Sequence, residues 1–369
     1  MNRVSVYESF DQLPPSYRDA FDTASSSSVF LSLDWFEHLT KAVFKDSGPV
    51  RIFSVETAEG GAPQLILPMW SLDDKPFSPR VLSSAANFYT SLYGPIIPEL
   101  QGKQEEHLTL LADAISTARP HWDMVNIYPM NPDSTVFIPM TNAFRQAGML
   151  VDSYFCFGNW YLEVDNRSYA EYVNSLPSQL ANTLRRKSKQ ANKAGQFRIE
   201  IIVNGAGLAD AIAAYEAVYH SSWKVPEAYP AFMPGLIRHC AERGWLRLGV
   251  AYVDNRPVAA QVWIVSNGVA SIFKLAYDQQ YAHLSVGSLL TARLMEHVID
   301  VDRVSEVDFL SGDDSYKRDW MSGRRERRGI VAFNPRTVRG ALAALRHFGA
   351  RKLKSCYRQL SRRTGAPVH

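Results

Sequence analysis

The sequence is poor in cysteine and carries little net charge. Its three cysteines, Cys156, Cys240 and Cys356, lie far apart and form no CxxC or Cys/His pattern. This spacing argues against a disulfide framework and against a zinc site, so we expect no bound metal. The formal net charge of +3 is too small to indicate nucleic-acid binding by the chain as a whole.

Long apolar runs are also missing. No stretch approaches the roughly 20 uninterrupted apolar residues that a membrane-spanning helix needs. The opening residues 1–21 show neither a basic segment followed by an apolar one nor a small-residue cleavage site, so we expect no secretory signal. The sequence therefore predicts a soluble, cytoplasmic protein without a transmembrane segment.

What the sequence does contain is typical of a globular protein. Hydrophobic residues make up 46% and charged residues 21% of the 369 residues. A chain of this length exceeds one ordinary core, which predicts two domains. The first half predicts a capped helix within 25–43, with apolar positions Trp35, Phe36, Leu39 and Val43, then a hairpin at 50–71, a helix at 107–118 and a strand at 122–130. The second half repeats this order with helices at 211–223 and 232–244 and a hairpin at 246–268, which indicates a duplicated fold.

A β-loop-α-β-turn-α succession follows the second hairpin. It comprises a strand at 269–278, a loop at 279–288, a helix at 289–299, a strand at 306–310, a turn at 311–314 and a helix at 315–321, and a further strand is predicted at 328–333. Within the loop, Gly287 stands between hydroxyl residues at a helix start. A helix start presents unpaired N–H groups to an anion, and glycine allows a phosphate to approach the backbone. The alternative is a serine cap with a glycine in the loop.

Residues 285–320 resemble those of a known protein family. The segments GSLLTARLMEHVI and EVDFLSGDDSYKRDW resemble the acetyltransferase domain of the GNAT superfamily branch associated with cellulose biosynthesis, and they also look like the Fem peptidoglycan aminoacyltransferases. The series that carries the resemblance is Ser285-Val286-Gly287, Asp308-Phe309-Leu310, Gly312-Asp313, Tyr316-Lys317 and Trp320. It covers residues 160–335 well and the first half more loosely. Val286 stands where the branch commonly has proline, and the RxxGxG/A pattern of typical acetyl-CoA enzymes is absent.

The resemblance implies an α/β (α+β) fold of tandem GNAT-like domains, each a mixed, largely antiparallel sheet flanked by helices. We expect a non-catalytic N-terminal domain at 1–155, a GNAT acyltransferase domain at 156–335 and a basic helical tail at 336–369. The arginine-rich stretch 184–193 resembles a helix of the same branch. Both basic stretches, this one and the tail, either face an anionic partner or form solvated basic surfaces.

The resemblance also implies roles for individual residues. Those expected to surround the donor pyrophosphate, or its equivalent, are Ser285, Gly287, Ser288 and Leu289. The candidate catalytic residues are Lys317, Asp308, Asp313 and Tyr316. The candidates for substrate contact are Trp223, Lys274, Tyr277 and Trp320. Lys317 matches a Fem lysine near the transferring carbonyl, where an ammonium stabilises a developing oxyanion.

Each of these assignments has a structural alternative. In these alternatives Lys317 is an ordinary solvated lysine of a helix, and Asp313 or Asp314 caps a helix. The aromatic residues then belong to the hydrophobic core. If the assignments hold, a carboxylate accepts a proton from the attacking amine.

Three functions are open on the sequence. The first is N-acyl transfer from acyl-CoA, with acetyl-CoA as co-substrate, to an amine of a small or sugar-linked acceptor. The second is transfer from an aminoacyl-tRNA or an acyl carrier protein. The third is an inactive binding module whose basic tail contacts an anionic surface. The sequence contains no GxSxG elbow, P-loop or Cys/His pair that would indicate covalent catalysis. We therefore expect the acceptor to attack the donor directly.

Overall fold

The computed structural model describes residues 2–45, 48–57, 61–71, 77–98, 102–194 and 196–364, with side chains as far as Lys352 except that of Ala194. Within these residues the chain divides into two compact units. Unit 1 consists of residues 1–25, 30–156 and 327–369, and unit 2 of residues 26–29 and 157–326. The side chains of the basic tail beyond Lys352, and Cys356 with them, lie outside the described residues.

Unit 1 is a sheet with helices packed against it. Its strands are β1 (Asn2–Tyr7), β2 (Val50–Thr57), β3 (Pro63–Ser71), β4 (Val81–Ser84) and β5 (Met124–Met130), and its helices are α1 (Tyr17–Ser25), α2 (Leu33–Ala42), α3 (Gln104–Thr117) and α4 (Phe137–Gln146). The strands lie in the order β1-β2-β3-β4-β5. The pairs from β1 to β4 are antiparallel, and β4 runs parallel to β5.

Unit 2 has the same kind of sheet. The remaining strands of the chain are β6 (Leu150–Glu163), β7 (Phe197–Ile202), β8 (Leu246–Val253), β9 (Arg256–Ser266), β10 (Val269–Tyr277), β11 (Glu306–Asp308) and β12 (Gly323–Phe333). The remaining helices are, in unit 2, α5 (Tyr169–Ser175), α6 (Ser178–Ala194), α7 (Leu208–Ser221), α8 (Phe232–Glu242) and α9 (Val286–Glu296), and, in unit 1, α10 (Val338–Thr364). The order is β7-β8-β9-β10-β11-β6, with β10 parallel to β11 and the other pairs antiparallel.

These sheets confirm the predicted fold class. Each unit has a mixed, largely antiparallel sheet, and among the described strands each has a parallel pair, β4–β5 in unit 1 and β10–β11 in unit 2. The predicted hairpins at 50–71 and 246–268 are both present as β2–β3 and β8–β9. The second hairpin turns through Asp254 and Asn255, whose positive φ angles of 48° and 64° suit the short polar side chains that tolerate this conformation.

Helix α9 lies unusually close to the sheet of unit 2. A Cβ added at Gly249 of β8 would lie 2.8 Å from Leu290 Cδ1 and 2.9 Å from Leu294 Cδ1, so only glycine leaves room for these two leucines. Both leucines are fully buried, as is Trp263 of β9. This packing fixes the position of α9 against the strands that carry the candidate site.

Two local predictions differ from the structure. Residues 279–288, predicted as a loop, form a 3₁₀ helix at Gln279–Leu284 and the first turn of α9, because each stretch is too short to show a helical apolar period in the sequence. Residues 315–321, predicted as a helix, form only a 3₁₀ helix at Ser315–Asp319. Its bonds run from Lys317 N to Asp314 O and from Trp320 N to Lys317 O, which is the i to i−3 pattern of the tighter helix.

Among the residues that the structure describes, no helix has the length and apolar character to cross a membrane.

Candidate functional site

Backbone amides at the start of α9 have no hydrogen-bond partner among the described residues. Asp278 follows β10 and caps the next 3₁₀ helix by accepting a hydrogen bond from Gln280 N at 3.0 Å. Ser285 then adopts a left-handed conformation, with φ 56° and ψ 37°, and α9 begins at Val286. In the described part of the chain the N–H groups of Val286, Gly287 and Ser288 have no hydrogen-bond acceptor. The structure therefore has three unpaired amides and the positive end of a helix dipole at this point, and of these residues Val286 is fully buried whereas Gly287 and Ser288 are half-buried.

A buried glutamine holds this turn in place. Gln261 of β9 donates from Nε2 to the carbonyl of Gly287 at 3.0 Å and to Thr291 Oγ1 at 2.8 Å. Its own Oε1 accepts a hydrogen bond from Trp263 Nε1 at 2.9 Å. Sequence reasoning missed Gln261, whose only signal was a polar residue inside an apolar strand. The side chain of Leu289 points into the core, where it is 7% exposed, while Ser285, Gly287 and Ser288 remain half-buried.

Strands β10 and β11 separate beside this turn. They pair only from Val269 opposite Glu306 to Ser271 opposite Asp308, and β10 then continues to Tyr277 without a strand on that edge among the described residues. A bulge interrupts the register of β10 with β9 between Ile272 and Lys274. An open sheet edge of this kind leaves backbone donors and acceptors available to an extended ligand.

Two predicted substrate-contact residues meet next to the turn. The rings of Trp223 and Tyr277 have centroids 4.6 Å apart, and a Cβ at Gly287 would lie 3.1 Å from Tyr277 Cδ1. Trp223 is 47% exposed, so its indole forms part of the surface. Lys274, on the same strand as Tyr277, forms a largely buried ion pair with Glu227 at 2.6 Å. Trp320 lies elsewhere, inside the hydrophobic core of unit 2.

Lys317 is buried and its ammonium is engaged. Its Nζ donates to the carbonyls of Ser311 at 2.7 Å and Gly312 at 3.2 Å, and it pairs with Asp314 at 3.4 Å. Burial is the main cause of a lowered pKa for Lys317, and the nearby carboxylates, Asp314 first, oppose it. The side chain therefore ties together the turn that joins β11 to the 3₁₀ helix.

Asp308 belongs to a buried charge network. Its Oδ1 accepts hydrogen bonds from Asn159 Nδ2 at 2.5 Å and from Leu310 N at 2.6 Å, and its Oδ2 pairs with Arg325 at 2.6 Å. Arg325 also pairs with Glu306 at 2.6 Å. The carboxylate of Asp308 is thus occupied by partners on three sides. Sequence reasoning missed Asn159 and Arg325, although the run RRERR in β12 marked an unusually charged strand.

Asp313 is more exposed and equally occupied. It accepts hydrogen bonds from Arg324, the shortest at 2.6 Å, and from Trp160 Nε1 at 2.9 Å. The hydrogen bonds from Arg324, and then that from Trp160, lower the pKa of Asp313 below its ordinary value. Tyr316 is 45% exposed and packs edge-on against Phe309, and burial raises its pKa to about 12.

The basic stretch predicted at 184–193 lies in α6, beside the start of α9. Lys187 donates from Nζ to the carbonyl of His283 at 2.5 Å, two residues before Ser285. Helix α6 contains five basic residues and no acidic one, and Arg185, Arg186, Lys189 and Lys193 are exposed. A cavity of about 610 Å³ is lined by parts of α5, α6, β7 and α9, with Arg185 and Leu289 at its wall. A strongly positive surface thus adjoins the start of α9.

In the C-terminal tail, the described basic residues near β6 are partly neutralised. Arg351 pairs with Asp152, and His347 Nε2 lies 2.7 Å from the same carboxylate. Burial acts to raise the pKa of Asp152, but the hydrogen bonds from Arg351 and His347 lower it overall. No group of three or more metal-binding side chains occurs within the described ranges.

Comparisons with known proteins bear on the same region. Residues 178–318 match a family model described as acetyltransferase (GNAT) domain. No curated protein matches the chain in sequence.

Solved structures resemble the chain over most of its length. FemX is 11% identical with a TM-score of 0.61, covering 92% of this chain and 99% of FemX. The C-terminal domain of a putative lysylphosphatidylglycerol synthetase from Agrobacterium fabrum is 13% identical with a TM-score of 0.50, over 86% and 95% of the two chains. L-PGS from Bacillus licheniformis is 10% identical with a TM-score of 0.50, over 84% and 95%. At these identities the likeness concerns the fold.

Proposed function

We propose that this chain, whose residues 178–318 match the GNAT acetyltransferase domain, is an acyltransferase that transfers an acyl group from acyl-CoA to an amine. The acceptor is a small or sugar-linked primary amine, and acetyl-CoA is the first donor to test. The observation that carries the proposal is the set of three unpaired amides at Val286, Gly287 and Ser288. Amides at a helix start bind phosphate groups through hydrogen bonds and the helix dipole.

The edge of β10 suits the rest of such a donor. A pyrophosphate on the α9 amides leaves an extended arm free to follow the strand edge that β11 vacates after Ser271. The donor supplies a thioester carbonyl, whose carbon an amine attacks directly. In this proposal the turn that Lys317 organises, from Ser311 to Asp314, lies near that carbonyl, and Asp308 positions β11 through its buried network. Tyr316 borders the same turn.

Unit 1 serves a non-catalytic role in this proposal. Its parallel pair β4–β5 is the counterpart of β10–β11, but the chain that follows β4 fills the space beside β5. Tyr93 N donates to Pro129 O at 2.6 Å, and Ile96 forms an antiparallel bridge with Ile66 of β3. The segment after β4 thus uses the hydrogen-bonding positions that a donor would need. The cytoplasmic location expected from the sequence is part of the same proposal.

Calorimetry and a thiol-release assay test the proposal. Wild-type protein should bind acetyl-CoA, and adding primary amines such as glucosamine should accelerate the release of free thiol. Gly287→Asp places a negative charge among the amides and should abolish donor binding. Gly205→Asp is the control, because a side chain at Gly205 meets no atom within 4 Å. If Gly287→Asp binds acetyl-CoA as tightly as wild type, the donor site is assigned to the wrong turn; if wild type binds no acyl-CoA, the function itself is wrong.

A second candidate function uses a macromolecular donor, an aminoacyl-tRNA or an acylated carrier protein. The specific observation in its favour is α6, which carries exposed basic side chains. This helix lies next to the start of α9, because Lys187 donates a hydrogen bond to the carbonyl of His283. Binding of a polyanion weakens steeply with added salt, because counterions are released on binding. Affinity for acyl-CoA should change less. Replacing Arg185, Arg186, Lys189 and Lys193 with Gln should therefore flatten the salt dependence only if the donor is a polyanion.

A further inference from the structure

Lys224 lies in the segment between α7 and α8 and is half-buried. No carboxylate of the described residues comes within 4.0 Å of its ammonium, and its only ring contact is with Trp223, at 5.8 Å. Partly buried lysines ordinarily have a partner, since an unpaired charge loses hydration without compensation. Lys224 is therefore an exception that calls for a physical explanation.

The charged groups around Lys224 come from three elements. Lys274 of β10 is paired with Glu227 at 2.6 Å, and Lys317 is paired with Asp314 at 3.4 Å. The cluster thus holds three lysines and two carboxylates, and each carboxylate is already paired with another lysine. The pKa of Lys224 is lowered to about 8, first by burial and then by the charge of Lys274, and the charge of Lys317 lowers it further. The carboxylates of Glu227 and Asp314 act in the opposite direction and raise it. About a tenth of Lys224 is therefore an uncharged amine at pH 7, far more than for an ordinary lysine.

The contacts of Trp223 connect Lys224 to the proposed donor site. The indole of Trp223 packs on Tyr277, whose ring lies beside Gly287, where an added Cβ would be 3.1 Å from Tyr277 Cδ1. Lys274 stands three residues before Tyr277 on the unpaired edge of β10. Lys224 is thereby placed on the side of the cleft where β10 and the start of α9 meet.

The carboxylates that could otherwise accept a proton are all engaged. Asp308 is held by Asn159 and Arg325, Asp313 by Arg324, and Asp314 by Lys317. An amine that attacks a thioester must lose a proton, and a basic group with a pKa near the working pH accepts it most effectively. Among the described groups of this cluster, Lys224 is the one without an ion-pair partner.

We propose that the side-chain amine of Lys224 is the proton acceptor for acyl transfer. The inference rests on the proposed function. The acceptor nitrogen forms a bond to the thioester carbonyl carbon, and the carbon–sulfur bond breaks. The nitrogen's proton passes to Nζ of neutral Lys224, and the resulting ammonium protonates the departing thiolate, which restores the neutral amine.

The test compares Lys224→Met with Lys224→Arg, and uses Lys41→Met as a control on an exposed lysine of unit 1. Arg keeps the positive charge but does not give up its proton. Acetyl-CoA is the donor. The acceptor is chosen from a panel of primary amines that includes glucosamine, as the amine that gives the fastest thiol release. Both Lys224 variants should lose about 100-fold or more in kcat at pH 7, the size expected for a proton acceptor. Acetyl-CoA affinity by calorimetry should stay within about twofold of wild type, because Lys224 does not touch the α9 amides.

A second readout is independent of turnover. Labelling of the free protein with acetic anhydride across a pH series, followed by mass spectrometry, should give Lys224 a titration midpoint near pH 8. A midpoint near that of an ordinary lysine overturns the proposal, as does a Lys224→Arg variant that keeps wild-type kcat, since charge alone would then suffice. If wild type fails to bind acetyl-CoA, the proposed function fails and this inference falls with it. If binding is intact and Lys224→Arg is active, only the inference fails.

Discussion

Gly287 lies beside the ring of Tyr277: a methyl group on Gly287 would lie 3.1 Å from Cδ1 of that ring. The same ring packs against Trp223, at a centroid distance of 4.6 Å. The start of α9, the end of β10 and the segment after α7 are therefore joined by one series of contacts. A substitution in any one of these three segments should therefore shift the side chains of the other two.

Gly287→Ala tests this contact. The added methyl should displace the Tyr277 ring by a few tenths of an ångström, and we expect the KM for the acyl donor to rise by about tenfold, equivalent to about 1.4 kcal/mol. The free energy of unfolding should stay level or rise, because alanine is favoured over glycine in a helix by up to about 1 kcal/mol. Donor-dependent kinetics and urea unfolding measure the two effects. Gly205→Ala lies at an open position, so it should change neither the KM for the acyl donor nor the reaction mechanism.

Two neighbouring arginines of β12 should differ sharply in their contribution to stability. Arg325 neutralises Glu306 and Asp308, whose side chains are 21% and 9% exposed, whereas Arg324 pairs with Asp313, which is 43% exposed. Removing one partner of a buried ion pair costs about 3–5 kcal/mol, and breaking an exposed pair costs about 1 kcal/mol or less. Urea unfolding of Arg325→Met and Arg324→Met should show this difference. Equal losses would mean that the Asp308 network is accessible to water.

The sequence predicted the strongly patterned elements of the fold well. Helix α2 has its apolar residues Trp35, Phe36 and Leu39 on one face and begins at Ser32, whose side chain accepts a hydrogen bond from Trp35 N. The alternating runs of β8 and β9 meet at Asp254-Asn255, residues that favour a tight turn. In both cases the local signal and the tertiary packing agree.

The candidate site was harder to predict because its geometry depends on residues far apart in sequence. The carboxylate of Asp308 is held by Asn159 and Arg325, which are 149 and 17 positions away. Nothing in the local pattern around Asp308 shows that its oxygens are occupied. Lys224 carries no motif at all, and its unpaired state follows only from where Lys274 and Lys317 place their own carboxylate partners. The assignments of Ser285, Gly287, Ser288 and Lys317 remain predictions.

The stability of the protein should depend on pH through Lys224. Its pKa in the folded protein is lowered from 10.5 to about 8, so between these two values the unfolded chain binds more protons at this residue. Stability therefore rises as the pH increases through this window, and the penalty for the buried charge is fully present below it. Lys224→Met removes the penalty, so its advantage over wild type in urea unfolding should be larger at pH 7 than at pH 10. A constant difference would show that the ammonium is fully hydrated in the folded state.

Lys317→Met tests whether the turn at residues 311–314 acts in the reaction. Methionine preserves the buried stem but removes the hydrogen bonds to Ser311 O and Gly312 O and the ion pair with Asp314. Unsatisfied buried acceptors cost about 1–3 kcal/mol, so a moderate loss of stability is expected. If the turn lies near the transferring carbonyl, kcat should fall by about 100-fold while the donor KM stays within about threefold, because an interaction made in the transition state is lost. Arg318→Met, at the exposed neighbouring position, should leave both parameters unchanged. A rise in KM without a fall in kcat would instead place Lys317 in donor binding.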